Sequence, residues 1–366
     1  MKKKVVVGLS GGVDSAVAAL LLKEQGYDVT GVTMRIWQED HCLTNRLGGQ
    51  TIETVGQSAE EDARRVAEAL DIPYDIIDYR QEFKARVVDY FINEYLCART
   101  PNPCVICNRY VKWEALLEYC RSIDADHIAT GHYARIVKLP DGRLTLCYSV
   151  TAAKDQTYAL FYLTQQQLAH TMMPVGEYSK EEIRALATRL GLPVADKPDS
   201  QEICFIPDND YTGFIKRNSR QEVPPPGNFI TADGTILGQH QGITHYTIGQ
   251  RKGLGLSLGH PVFVSQIRRA TNEVVVGEEA AVFTDGLRCQ QLNFMGMASL
   301  PVPRRVTAKI RYAHKGAAAV IEQTGPDEVV CRFEEPVRAV TPGQAVVFYD
   351  GEYILGGGII KEGCKC

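Results

Sequence analysis

Residues 10–15, Ser10-Gly11-Gly12-Val13-Asp14-Ser15, put two glycines, two hydroxyls and one carboxylate between an apolar run and a helical one. A loop in that setting presents backbone N–H groups and the positive end of a helix dipole to an anion, and the glycines let the main chain come close. Ser10 and Ser15 can donate to phosphate oxygens, and Asp14 can help hold a magnesium ion. The lysine and the wider glycine spacing of a Walker loop are absent, which disfavours ordinary transfer of a γ-phosphate. A glycine-rich turn without a ligand is the bland alternative. Six suitable positions in the order strand, loop, helix argue against it.

The second chemical feature is sulfur. Cys104 and Cys107 stand in Thr100-Pro101-Asn102-Pro103-Cys104-Val105-Ile106-Cys107-Asn108, ahead of a helix through Trp113 and Leu117. At a helix N-terminus the dipole stabilises a thiolate, so Cys107 reads as a low-pKa nucleophile. A lone Cys-x-x-Cys is also compatible with half a zinc site, a redox pair or part of an iron–sulfur site. The chain has no second one. Cys204, in Ser200-Gln201-Glu202-Ile203-Cys204-Phe205-Ile206-Pro207, lies nearly one hundred residues further on, and only folding can bring it to Cys107. Cys42, Cys97, Cys120, Cys147, Cys289 and Cys331 read as small buried hydrophobes, and Cys364-Lys365-Cys366 as a mobile, functionally neutral tail.

These residues need a scaffold. Up to about Leu192, β-branched runs alternate with helical periodicity, and residues 4–9, 13–25 and 29–34 read as strand, helix and strand. Ser58 with Glu61 forms a capping box opening a helix to Leu70, and 74–79 is the next strand. Phe83, Val87, Phe91 and Tyr95 then repeat at i+4, 127–130 is a further strand, and Ser179 with Glu182 caps another helix. This is α/β grammar: a Rossmann-like parallel sheet covered on both faces, with its ligand beyond the C-terminal strand ends. After Lys197-Pro198, turns and short strands take over. Alternation over residues 306–312 places Thr307, Lys309 and Arg311 on one face of a strand. Residues 346–349 and 353–355 add strands of a small C-terminal β-barrel. The predicted division is a catalytic domain over 1–205, a small β-rich central domain over 206–278 and a C-terminal β-barrel over 279–366.

The chain has 366 residues, 45% of them hydrophobic, which is enough for two or three cores. With 40 basic and 44 acidic residues it does not have the balance of a protein that coats nucleic acid, so any such surface is local. Residues 234–272 and 286–321 carry arginines and lysines but no Asp or Glu, a pattern that suits a phosphate backbone. A solvated barrel surface is the bland alternative. Eleven cysteines, odd in number and irregularly spaced, do not make a secreted disulfide scaffold and point to a reducing compartment. No stretch approaches the ~18 apolar residues of a membrane helix. The expectation is a cytoplasmic monomer without membrane contact.

Residues 10–15 resemble the signature of the PP-loop ATP pyrophosphatase superfamily, whose members cleave ATP between the α and β phosphates and adenylate a substrate. Gly31-Val32-Thr33-Met34 and Thr130-Gly131-His132-Tyr133-Ala134-Arg135 are further points of resemblance, each after a strand. With residues 100–108, Lys154-Asp155-Gln156, residues 200–207 and His245-Tyr246-Thr247-Ile248-Gly249-Gln250-Arg251-Lys252-Gly253, the chain resembles the bacterial tRNA-specific 2-thiouridylase family almost end to end. The resemblance implies that ATP adenylates the C2 oxygen of a wobble uridine and that sulfur displaces AMP, with pyrophosphate as the other product. It implies ATP and magnesium at Gly8, Leu9, Ser10, Gly11, Gly12, Val13, Asp14, Ser15, Met34 and Gly131, and the target base at Asn102, Pro103 and Cys104. It implies tRNA contacts from His132, Lys154, Asp155, Gln156, Arg311, Tyr312 and Gln344. Cys204 would carry a persulfide delivered by a sulfur-relay protein or a cysteine desulfurase; either Cys107 attacks it, releasing sulfide and leaving a Cys107–Cys204 disulfide, or the persulfide attacks C2 directly and Cys107 then reduces the mixed disulfide. Two departures stand out. Many members have Asp, a suggested proton acceptor, where this chain has Cys104, and residues 41–57 lack the family's usual Cys-containing run. Cys104, Cys107 and Cys204 could instead ligate a [4Fe-4S] cluster. The rival readings are another PP-loop ligase, of the 4-thiouridine synthetase or amidotransferase type, and a non-catalytic RNA-binding protein with a structural metal site.

Overall fold

The computed structural model describes residues 2–37, 55–197 and 203–365. Cys42, residues 41–54, residues 200–202 and Cys366 lie outside them. The chain forms two compact units, one of residues 1–87 and 104–209 and the other of residues 88–103 and 210–366.

The elements of residues 1–209 are, in chain order, β1 (Lys4–Gly8), α1 (Val13–Glu24), β2 (Asp28–Arg35), α2 (Val55–Ala69), β3 (Tyr74–Asp78), α3 (Arg80–Phe83), α4 (Asp89–Leu96), α5 (Pro103–Cys107), α6 (Trp113–Ser122), β4 (His127–Ala129), β5 (Arg135–Lys138), β6 (Leu144–Cys147), α7 (Gln165–Ala169), β7 (Thr171–Met172) and α8 (Lys180–Arg189). Of these, α4 belongs to the second unit. The first unit is built on a parallel sheet in the order β3, β2, β1, β4, β7. Val5, Val6 and Val7 are buried in succession rather than alternately, because both faces of a parallel sheet are covered. From β1 the chain crosses to β2 on one side and later returns to β4 on the other. The loops after β1 and β4 therefore open onto one crevice at the reversal point, where open α/β sheets bind their ligands. Residues 10–15 and 130–133 occupy those two loops. The helix beginning at Val55 starts a turn before Ser58, so Ser58 lies inside it rather than capping it. The Ser179 capping box is present: Glu182 N donates to Ser179 Oγ at 3.1 Å and Ser179 N donates to Glu182 Oε2 at 2.7 Å.

The second unit contains α4, α9 (Tyr211–Asn218), a mixed sheet and a barrel. Phe91 and Tyr95 of α4 pack against Phe214 and Tyr211 of α9, with ring centroids 6.4 Å and 5.1 Å apart. The sheet runs β10 (Phe263–Arg268), β11 (Glu273–Gly277), β8 (Gly227–Ile230), β9 (Ile236–His240). The barrel follows with β12 (Phe283–Phe294), β13 (Arg304–Lys309), β14 (Ala317–Gly325), β15 (Glu328–Arg338), β16 (Ala345–Asp350) and β17 (Tyr353–Cys364), all antiparallel in the order β12, β15, β14, β13, β16, β17. Pairing of β17 back onto β12 closes it and removes the sheet edges.

The expected fold class is present, with three local corrections. Inward and outward alternation continues to Ile310, but β13 ends at Lys309, so Arg311 lies in the turn beyond the strand. Cys364 is no tail residue: it ends β17 opposite Gly286, held by the ladder that closes the barrel. The acid-free stretches are not acid-free in space. Arg288 pairs with Glu328 at 3.1 Å, Arg304 with Asp350 at 2.6 Å and Arg268 with Glu273 at 3.6 Å, each acid supplied from outside the stretch. No described helix is long and apolar enough to cross a membrane.

Candidate active site

The glycine-rich loop is organised by its own hydroxyls. Ser10 N donates to Ser15 Oγ at 3.1 Å, Ser15 Oγ donates to Gly12 O at 3.1 Å, and the two hydroxyl oxygens lie 3.2 Å apart. Gly12 caps α1 without a side-chain hydrogen bond, so the helix's first turn keeps its character as an anion-binding end. Two glycines are enforced sterically. Gly11 has φ +69° and a Cβ there would stand 2.4 Å from Ala59 O. A Cβ on Gly131 would stand 2.6 Å from Ser15 N and 2.7 Å from Asp14 C. Gly131 thus lets the loop after β4 press against the main chain of the phosphate loop. At the loop's other margin, Thr33 Oγ1 donates to Leu9 O at 2.8 Å and Tyr74 OH donates to Thr33 Oγ1 at 2.9 Å, which holds the C-terminal end of β2, with Met34, beside β1.

Two lysines that sequence reasoning did not single out, with Tyr133 of the 130–135 motif, complete this surround. Asp14 Oδ1 accepts from Lys180 Nζ at 2.6 Å and from Tyr133 OH at 2.7 Å. Lys197 Nζ donates to Gly11 O at 3.0 Å and to Asp62 Oδ2 at 2.6 Å. The available signal was the missing Walker lysine, since a polyphosphate site without a cation in its loop must draw one from elsewhere. Tyr133 is fixed in turn by Gln156, whose Oε1 accepts from Tyr133 N at 2.9 Å while its own N donates to Tyr133 O at 2.9 Å. Asp155 is buried and accepts from Ser149 N at 3.2 Å and Thr157 Oγ1 at 2.6 Å. Lys154 ends a single 3-10 turn beside them. His132 lies against Trp113, centroids 5.5 Å apart, with Nδ1 2.9 Å from Thr130 Oγ1. Burial, reinforced by Lys112, pushes its pKa down to about 3, so at neutral pH its imidazole is uncharged.

Cys104, Cys107 and Cys204 come together in the first unit, close enough to influence one another electrostatically. Cys104 and Cys204 are exposed and Cys107 is buried. The turn carrying Cys204 is anchored by Phe205, which packs edge-on against Phe83 at 5.6 Å and Trp37 at 6.2 Å. The low-pKa reading of Cys107 is overturned. Cys107 is not at a helix N-terminus: it ends α5 and leads through a π-helical turn, Asn108–Lys112, into α6. Burial pushes its thiol up to about 12 against the opposing pull of Lys112; desolvation by the surrounding protein, with Cys104 beside it, pushes the thiol of Cys204 up to about 11 although the residue as a whole is exposed. Both are thiols at neutral pH. Alkylation of Cys204 by iodoacetamide in the free protein should therefore accelerate only as pH rises toward 11. At pH 8 it should run roughly 100-fold slower than for an unperturbed cysteine, whose pKa is about 8.5. A rate profile with its midpoint below 8.5, read by mass spectrometry, would contradict this. Among the described residues no three His, Cys, Asp or Glu side chains are grouped to hold a metal ion.

In the second unit, Gln344 Nε2 donates to Thr100 O at 2.9 Å and Pro101 O at 3.1 Å, and Thr100 N donates to Pro342 O at 2.9 Å. The barrel turn at 342–344 therefore holds the strap that leads into Asn102 and Pro103. Arg311 Nη1 reaches Arg338 O at 3.3 Å, and Tyr312 beside it is exposed.

Residues 3–208 match the family model described as the tRNA methyl transferase HUP domain, 212–278 the tRNA methyl transferase PRC-barrel domain and 284–360 the aminomethyltransferase beta-barrel domain. Over 359 residues, 98% of this chain and 99% of the relative, the sequence is 60% identical to tRNA-specific 2-thiouridylase MnmA of Lachnoclostridium phytofermentans. It is 53% identical to the protein of that name from Clostridium perfringens, over 99% of both chains. The chain belongs to the tRNA-specific 2-thiouridylase family. The member from Carboxydothermus hydrogenoformans is 51% identical over 99% of this chain and 98% of its own. Membership of the 2-thiouridylase family agrees with the chemistry of the site better than the methyl-transfer wording of the domain descriptions does. A loop of main-chain N–H groups flanked by lysines suits a polyphosphate, and neighbouring thiols suit sulfur.

Proposed function

We propose that the chain catalyses ATP-dependent 2-thiolation of the wobble uridine in tRNA anticodons. The observation that carries this reading is that one compact unit contains both a phosphate-binding loop and two thiols, Cys107 and Cys204, drawn from distant parts of the chain. The HUP domain uses ATP, bound through residues 8–15, Met34 and Gly131. Magnesium would be held by the Asp14 carboxylate together with phosphate oxygens, a donor set that suits it. Uridine O2 attacks the α-phosphorus, pyrophosphate leaves, and C2 then carries AMP as a good leaving group.

Cys204 receives its outer sulfur from a sulfur-relay protein or a cysteine desulfurase. Because Cys107 is buried and protonated, we place its attack second. The terminal persulfide sulfur, a better nucleophile than a thiol, adds to C2 and expels AMP, which leaves a C2–S–S–Cys204 link. Cys107 then attacks Cys204 Sγ as its proton passes to the departing thiouridine sulfur, which forms the Cys107–Cys204 disulfide and frees 2-thiouridine. A thiol reductant restores the pair. Asn102, Pro103 and Cys104 line the base, with Cys104 in the position of the family's Asp. His132, Lys154, Arg311, Tyr312 and Gln344 bind tRNA, while Asp155 and Gln156 hold the surrounding loops. Residues 1–205 form the catalytic domain, and 206–278 and 279–366 form the central and barrel domains that hold the tRNA of a cytoplasmic enzyme.

The test is incubation of unmodified tRNA with protein, ATP, magnesium and a persulfide donor, followed by nucleoside mass spectrometry. The expected product is 2-thiouridine with one AMP per sulfur. 4-Thiouridine, or no thionucleoside, would overturn the reading. For the barrel, Arg311→Ala should weaken tRNA binding about tenfold and lower the salt slope by about one, as for loss of one phosphate contact. ATP affinity, measured by calorimetry, should not change.

A further inference from the structure

The segment that carries Cys107 into α6 holds a cation with no part in the sulfur or nucleotide chemistry. Residues Asn108–Lys112 form a π-helical turn, and Arg109 stands on it two residues beyond Cys107. We propose that Arg109 binds an RNA phosphate beside the uridine that receives sulfur. The inference rests on the function proposed above and deepens it by naming a substrate contact of the same site.

The turn is held in place. Asn108 is buried, and its Nδ2 donates to Ala159 O at 2.9 Å, which ties the turn to the 3-10 segment Thr157–Leu160. The Arg109 guanidinium lies 3.9 Å from the ring centre of Tyr162 and 4.6 Å from that of Tyr110, and the guanidinium of the exposed Arg86 lies 5.5 Å from the Tyr110 ring. Tyr162 is buried, so the stack is built into the unit rather than draped over it. Neither arginine has a carboxylate partner among the described residues. Nη1 of Arg109 is closed off from solvent and has no hydrogen-bond partner among them either. A charged donor left unpaired in that way costs about 1–3 kcal/mol or more. The ring faces offset part of that cost, and an incoming acceptor recovers the rest.

Which acceptor follows from the shape and the place. The rings cover the flat faces of the guanidinium and leave its edge, the fork that meets a phosphate in two parallel N–H···O bonds. Arginines alternating with tyrosines are also how proteins hold unstacked RNA. To bring C2 to the thiols, the uridine must leave its stack, and the phosphates on either side travel with it. Two residues of chain span at most about 7 Å, so Arg109 stands beside Cys107 where one of those phosphates arrives.

The experiment is fluorescence anisotropy of the full chain with an anticodon stem-loop RNA that has uridine at the wobble position, with thermal melting as a check on folding. Arg109→Gln should weaken binding about tenfold and lower the slope of log affinity against log salt by about 0.7, as for one single-strand phosphate contact. Arg109→Lys, which keeps the charge without the fork, should keep the wild-type slope. RNAs with a neutral methylphosphonate on one or the other side of the wobble uridine locate the contact. One of them should bind wild type about tenfold more weakly and lose nothing further in Arg109→Gln. Equal methylphosphonate penalties in wild type and Arg109→Gln would overturn the proposal. So would wild-type binding that neither methylphosphonate weakens, a result that needs no variant to fold. Unchanged RNA affinity in Arg109→Gln, with slower loading of Cys204 by a persulfide donor, would assign the arginine to a protein partner instead. Failure of the thiolation reading looks different: the phosphate contact would still depend on Arg109 while no 2-thiouridine forms.

Discussion

Cys204→Ser and Cys107→Ala should each abolish tRNA 2-thiolation, with losses of at least about 10³-fold, as removal of a covalent nucleophile produces elsewhere. A serine hydroxyl cannot accept a sulfane sulfur, so Cys204→Ser cannot be loaded. Single-turnover release of pyrophosphate should fall much less, because adenylation precedes sulfur attack, whereas AMP, which the persulfide expels, should stay on C2 in Cys204→Ser. The two variants differ in what they accumulate. Cys107 is buried with its thiol pushed up to about 12, so it is unsuited to open the reaction. In Cys107→Ala the loaded Cys204 should still attack C2 and then stop. A tRNA–protein adduct should appear on a non-reducing gel and vanish with dithiothreitol. Full activity of either variant would remove its assigned role, and free sulfide released by wild type before AMP forms would reverse the order of the two thiols.

Gly131→Ala should lower ATP affinity about 10- to 100-fold without comparable effect on tRNA binding. The added methyl carbon would lie 2.6 Å from Ser15 N, 2.7 Å from Asp14 C and 2.9 Å from Ser15 Cα, all of them backbone. No side chain can rotate away. Either the loop after β4 or the first turn of α1 must move, and overpacking of this kind typically costs about 1–3 kcal/mol. Both movements displace the N–H groups that face the phosphates, and the second also disturbs Asp14 and the ammonium beside it. Calorimetry with ATP and a thermal melt measure the two effects. An alanine variant that binds ATP like wild type would show that the close approach of the two loops is dispensable.

Much of the scaffold was legible because it is encoded locally. The apolar run of β1, the periodicity of α1 and the capping box at Ser179 depend on neighbours a few residues away, so their spacing declares them. Boundaries were less legible. β13 stops at Lys309 although its alternation persists to Ile310, because its cross-strand pairing ends there: Ala308 pairs with Ala317, the first residue of β14, and Lys309 with Val347 is its last pair to β16. The i+4 repeat at Phe83, Val87, Phe91 and Tyr95 predicted one apolar face. Its residues are buried, but Phe83 packs on Phe205 in the first unit while Phe91 packs on Phe214 in the second. Periodicity says that a face will be covered and not by what.

The same division holds for the site. The sequence by itself determined the residue types that can do the chemistry: a lysine-free glycine loop for a polyphosphate, and cysteines set apart from those a barrel or helix buries for packing. Tertiary structure decided which groups meet and in what protonation state. It brought Cys204 to Cys107 and Lys180 to Asp14 across most of a domain, joined acids to the basic stretches of the barrel, and made Cys107 a buried thiol rather than a thiolate at a helix end. Proximity and desolvation are properties of space, set by strand order and by what covers each group, and a linear spacing carries neither.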